Sequence, residues 1–226
     1  MHRKTLALLA TLSCSFAAQA EWSSTVTLAS DYLFNGVSQT DEKPALQASL
    51  DWAGDSGWYA GAWASNVDFG DDTNLEVDLY AGFYQDINDN VGLDLGVAQY
   101  TYHGASYSDE GNYAEAYMLW AIGNTELNFW YAWDYFGTGA GHYIVMLNHT
   151  IPITDDLSLL LGVDRSTSTD SDKFQWEEGD DSYIHWQATA NYSISGFDLS
   201  LGVQGTDLDT YGDTRVLLTV GRTFNF

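Results

Sequence analysis

The chain has 226 residues and carries 32 Asp and Glu against seven Lys and Arg, a formal net charge of −25 at pH 7. So few cations exclude nucleic acid as a partner, because a phosphate backbone is bound by clustered Lys and Arg. Charge of this size also accompanies disorder, but 15% aromatic residues and only two prolines point to an ordered β structure.

Residues 1–20 read as a cleavable signal peptide. Arg3 and Lys4 form the positive start, Leu6 to Leu12 the apolar stretch, and Ala18-Gln19-Ala20 the small-residue site before Glu21. The apolar stretch is too short for a membrane-spanning helix, which needs roughly 20 residues. Cys14 is the one cysteine. As a lipidated residue it would want Leu where Thr11 stands, so cleavage after Ala20 is the reading preferred. The exported chain, residues 21–226, then has neither disulfide nor thiol chemistry.

From Glu21 onward the chain divides into segments of about ten residues with period-2 hydrophobicity, the length of a tilted membrane-spanning strand. Weaker segments fall near 22–31, 45–53 and 58–67. In the next, Leu75, Val77, Leu79, Ala81 and Phe83 alternate with Glu76, Asp78, Tyr80, Gly82 and Tyr84. Val91 to Ala98 alternates in the same way, and a weaker segment covers 112–121. Leu127, Phe129, Tyr131, Trp133 and Tyr135 alternate with Glu126, Asn128, Trp130, Ala132 and Asp134. Weaker segments near 142–150 and 157–165 precede clear ones from Ile184 to Tyr192 and from Phe197 to Gln204. In the last segment Val216, Leu218, Val220, Phe224 and Phe226 share one parity. That pattern, ending on Phe, resembles the closing strand of bacterial outer-membrane barrels, which would address it to the barrel-assembly machinery. Twelve segments result.

Short turns such as Ala53 to Gly57 and Asp86 to Asn90 alternate with longer polar stretches, the longest from Ser166 to Ser182. Tryptophans and tyrosines, among them Trp22, Trp52, Trp58, Trp133, Trp186 and Tyr192, fall near segment ends, as in the aromatic girdles of a bilayer. The expected fold is all-β: a transmembrane antiparallel barrel of about twelve strands, with short periplasmic turns and long extracellular loops. Both termini would be periplasmic. The competing reading, a soluble sandwich, gives no reason for loop lengths to alternate. Periodicity leaves open which face of residues 58–67 points outward.

Ser30-Asp31-Tyr32-Leu33-Phe34-Asn35-Gly36-Val37-Ser38-Gln39-Thr40, with Lys43-Pro44-Ala45-Leu46-Gln47, resembles the opening of the TorF-type porins of proteobacteria. So do Gly57 to Val67 and Glu76 to Gly82, with Asp134-Tyr135-Phe136 and the closing strand as further matches. The resemblance implies an outer-membrane porin and names no solute. Asn35 stands where the resemblance leads one to expect Arg before the glycine, which implies a cation lost at the mouth.

Placing the apolar parities outward turns a set of carboxylates inward. Asp31, Glu76, Asp78, Glu115, Asp134 and Asp164 would sit near the long-loop rim, and Asp51, Asp94, Glu126 and Asp198 nearer the short-turn rim. The inward cations would be Arg215 and, when protonated, His185. Walls of one sign concentrate counter-ions in a low-dielectric channel, so the expected function is passive diffusion of small solutes with cations preferred. The alternative is a non-conducting structural or adhesin-type barrel, its interior plugged and its charges satisfying one another; an outer-membrane hydrolase is a more distant one. Tyr80, Tyr84, Tyr100, Tyr102 and Trp130 share the inward parity, as space fillers or as stacking surfaces for a solute. The acidic loops would face lipopolysaccharide; they lack the ordered spacing of a calcium loop, and no cofactor or metal is expected. An enzyme is not expected either: an Asp134–His142 pair could activate water in principle, but no catalytic motif accompanies it. Arg215 is expected to pair with Asp31 across the closing seam, or else with Asp213 or Asp209.

Overall fold

A computed structural model describes residues 21–226; the signal peptide assigned above lies outside the described residues. Twelve strands close into an antiparallel barrel: β1 (Glu21–Ala29), β4 (Ala45–Ala53), β5 (Trp58–Asn66), β6 (Leu75–Asn88), β7 (Val91–His103), β8 (Tyr113–Ile122), β9 (Thr125–Ala132), β10 (His142–Pro152), β11 (Leu157–Ser168), β12 (Ser182–Ile194), β13 (Phe197–Thr206) and β14 (Arg215–Asn225). Two further strands, β2 (Leu33–Phe34) and β3 (Val37–Ser38), form a separate hairpin in the first loop. Every barrel strand pairs with its sequence neighbour in the barrel, and β1 meets β14, with Thr25 opposite Thr223. Their hydroxyls are 2.9 Å apart. Closure leaves no barrel strand with an unpaired edge among the described residues.

The connections at one rim are 54–57, 89–90, 123–124, 153–156 and 195–196; those at the other are 30–44, 67–74, 104–112, 133–141, 169–181 and 207–214. Strand parity sets the two faces. Leu28, Leu79, Val97, Leu201 and Val216 are among many large apolar side chains left exposed on the outer wall, Val216 at 64%. A continuous apolar exterior of this extent marks a surface made for another apolar phase or partner.

The orientation of residues 58–67 is now settled. Tyr59 is buried and Trp63 lines an internal cavity, whereas Trp58 is exposed; Ala60, Ala62 and Ala64 share its outward parity. Lumen-facing glycines make room for aromatic rings on the next strand. Tyr80 lies opposite Gly61 and Tyr59 opposite Gly82, and Tyr117 lies opposite Gly96. A Cβ at Gly96 would collide with the Tyr117 ring. β1 ends at Ala29, two residues short of the segment expected to reach 31. Asp31 therefore starts the inward loop instead of finishing a strand.

Candidate functional site

The hairpin of β2 and β3 organises the loop end of the lumen. Asn35 and Gly36 occupy its two-residue turn with φ of 46° and 84°. Two successive positive φ values define the tight turn that Asn-Gly favours. Its tip crosses to the far wall. Asn35 Nδ2 donates to Asp164 Oδ1 at 2.9 Å, and Tyr183 Oη donates to the Asn35 carbonyl at 3.1 Å. Asp164 is 2.6 Å from His185 Nδ1, and the other imidazole nitrogen is 2.9 Å from Gln204 Oε1. All five side chains in this chain of contacts are buried. Gly36 is pressed so closely on this wall that a Cβ would meet Thr206 at 2.6 Å and His185 at 2.7 Å.

The base of the same loop is fixed separately. Asp31 accepts hydrogen bonds from Ser38 Oγ at 2.7 Å and Thr40 Oγ1 at 2.8 Å. Lys43 bridges to Asp68 at 2.7 Å, tying the first loop to the second. The ammonium, with the Gly70 amide, holds the Asp68 carboxyl below its usual range, and Asp68 with Asp41 raises Lys43. Glu177 links two other loops, accepting the Asp209 amide at 2.7 Å together with that of Thr210.

A second group of side chains closes over the loop ends of β7, β8 and β10. Tyr102, Tyr113 and Tyr135 pack with Phe136, Phe174 and Trp176 from loops 133–141 and 169–181. The buried His142 ring stacks on Tyr135 at 4.1 Å between centroids.

Below the hairpin lies a cavity of about 140 Å³ whose wall includes residues of β1 and of β4 to β10. Tyrosine–carboxylate pairs surround it. Tyr102 donates to Glu76 at 3.0 Å and Tyr100 to Glu115 at 3.0 Å; Tyr80 donates to Asp51. Deeper, Tyr59 donates to Asp94 at 2.6 Å and shares a 2.7 Å contact with Tyr117, while Tyr84 donates to Asp86. Trp130 meets Tyr117 at 4.6 Å. Glu126 stands opposite Asn148 in the ladder between β9 and β10.

Two expectations are corrected. Arg215 does not pair with Asp31, nor with Asp213 or Asp209; it donates to Glu42 at 2.9 Å and to the Gly36 carbonyl at 3.2 Å. The hairpin stands between the two residues expected to meet. Asp134 is exposed and lies in the loop after β9, which ends at Ala132, instead of on a lumen-facing strand position. Its carboxylate accepts the Gly139 amide at 2.7 Å. The Asp134–His142 pair consequently does not form. The part played by Asn35 and Tyr183 escaped the sequence reading, although Asn35-Gly36 between apolar residues is a hairpin signal.

A closed twelve-stranded barrel, apolar outside and lined by tyrosines and carboxylates, is the architecture these residues define. The chain belongs to the family described as "Bacterial protein of unknown function (Gcw_chp)", whose model matches residues 15–224. No curated protein sequence matches it. Its fold is similar to a solved "KdgM porin", at 11% identity and TM-score 0.60, covering 89% of this chain and 99% of that one. It is also similar to a "NanC porin" structure, at 11% identity and TM-score 0.56, covering 90% and 98%.

Proposed function

We propose that this protein is an outer-membrane channel for passive diffusion of small solutes, with cations preferred. One observation carries the preference. Among the described residues, no Lys or Arg faces the lumen except Arg215, already engaged by Glu42, whereas Glu76, Asp78, Glu115 and Asp164 are buried inside it. The other cations lie elsewhere. Lys43 and Lys173 are on loops, Arg165 donates outside to Ser182, and Arg222 lies over the Phe197 and Phe224 rings. The apolar exterior suits a bilayer, because a closed barrel satisfies its own backbone in lipid. The fold shared with the KdgM and NanC porins and the sequence resemblance to TorF-type porins support the same reading.

In this reading the signal peptide is removed after Ala20, and the strand ending in Phe226 engages the barrel-assembly machinery. The short turns face the periplasm and the acidic loops face lipopolysaccharide. The protein acts without catalysis or cofactor. A specific observation favours a second reading, a closed or structural barrel: the docked hairpin and the aromatic cap both occupy the loop end. Conductance and reversal potential in a planar bilayer under a salt gradient separate the two. Cation-selective current supports the proposal. Anion selectivity contradicts the carboxylate argument, and absent conductance favours the closed barrel.

A further inference from the structure

The cavity beneath the hairpin has an unusual chemical lining. Asp78 and Glu115 both face it, at 9% and 1% exposure, and each has one carboxylate oxygen without a hydrogen-bond partner among the described residues. Glu115 uses its other oxygen for Tyr100. No Lys, Arg or His contributes to the wall. A buried carboxylate in such surroundings needs either a proton or a counter-cation.

The rest of the wall says which kind of cation fits. Trp63, Tyr100, Tyr117 and Trp130 line the same space. Tyr117 and Trp130 meet at 39°, so their rings form a corner and not a flat stack. A bare or hydrated metal ion would want several converging hard oxygens, and no group of three or more metal-binding side chains exists among the described residues. Aromatic faces within about 6 Å attract a weakly hydrated ammonium, most strongly where water is excluded. Carboxylates and rings together favour a positive charge carried on a carbon skeleton.

We propose that this cavity binds a small organic ammonium cation, held by Asp78 and Glu115 and sided by Trp130, Tyr117, Tyr100 and Trp63. The site deepens the channel reading, on which the cation's route into the barrel rests. Binding itself does not need conduction, so the two are tested separately.

The experiment titrates the detergent-solubilised full barrel with tetramethylammonium chloride and follows tryptophan fluorescence and heat of binding. Sodium chloride at equal ionic strength and tert-butanol, a neutral molecule of similar shape, are the controls. Tetramethylammonium should saturate a site that neither control fills. Glu115→Gln and Asp78→Asn should each weaken that binding by about tenfold, and Trp130→Leu by a comparable factor. Circular dichroism identifies variants that keep the barrel; where Glu115→Gln does not, Asp78→Asn and Trp130→Leu decide. Equal responses to tetramethylammonium and tert-butanol would overturn the proposal, as would equal responses to sodium. So would absence of saturation in the parent, leaving carboxylates neutralised by protons. Conductance without tetramethylammonium binding would remove the site and leave the channel reading. Binding without conductance would do the reverse.

Discussion

Asn35 at the tip of the inward hairpin donates to Asp164 on the opposite wall, 129 residues further along the chain, across 2.9 Å. This bond holds the first loop across the lumen, so its loss should release the loop while leaving the barrel ladder intact. Asn35→Gly keeps the positive-φ turn and removes only the side chain. A hydrogen bond to a charged group is worth about 1.5–3 kcal/mol, and hairpin docking should weaken by that order. The expected readout is larger, noisier single-channel conductance with an unchanged circular dichroism spectrum. Identical conductance would mean that the hairpin does not control the path.

Gly36→Ala should act more strongly. Its φ of 84° is unfavourable for any residue with a Cβ, and the new methyl would meet Thr206 and His185 at 2.6 and 2.7 Å. His185 has little room to retreat, since it is held by Asp164 and Gln204. A Phe34→Cys reporter should then react faster with a membrane-impermeant thiol reagent in the Gly36→Ala background than in the parent. Cys14, before the proposed cleavage site, leaves the reporter without competition.

Arg215 and Glu42 make a pair exposed on its acidic side, with the Glu42 side chain at 65%. Arg215→Gln should therefore change stability by only about 0–1 kcal/mol. Its main effect should be on charge, shifting the reversal potential toward stronger cation preference. Glu42→Gln should shift it the opposite way, by freeing the guanidinium. Unmoved potentials in both variants would place the path away from this rim.

The Lys43–Asp68 clamp has a defined pH window. Asp68 titrates below its ordinary value of about 3.9 and Lys43 above its ordinary value of about 10.4. A depressed carboxylate contributes at pH values above its unfolded pKa and is lost as pH falls through the folded one. The clamp should thus be constant through neutral pH and release only in strong acid, or in strong base as Lys43 loses its proton. The Gly70 amide, which donates to Asp68 at 3.1 Å, is the NMR reporter. Asp68→Asn should abolish its acid transition.

Gly96→Val should destabilise the barrel itself. The added side chain would enter the Tyr117 ring, which is packed against Trp130 and hydrogen-bonded to Tyr59. Overpacking of this kind costs about 1–3 kcal/mol, to be read from urea unfolding in detergent. Val at position 97, on the outer face, should accept Ile with little change.

The sequence by itself determined the twelve barrel strands and, outside residues 58–67, their inward and outward faces. Period-2 alternation is a local property, and a one-residue slip would turn every side chain to the wrong side. Residues 75–84 and 216–220 state it without ambiguity. Residues 58–67 did not, because alanine on one face and tyrosine and tryptophan on the other carry no polarity contrast. Only the tertiary structure decided that Tyr59 and Trp63 face inward, since Gly61 and Gly82 give their neighbours' rings room there. It also decided where the first loop goes. Asn35-Gly36 specifies a tight turn locally, but its docking depends on Asp164, Tyr183 and His185, which closure of the barrel brings opposite it. For the same reason Arg215 missed Asp31: strand parity placed both near the closing seam, and the hairpin, invisible to parity, supplied each with other partners.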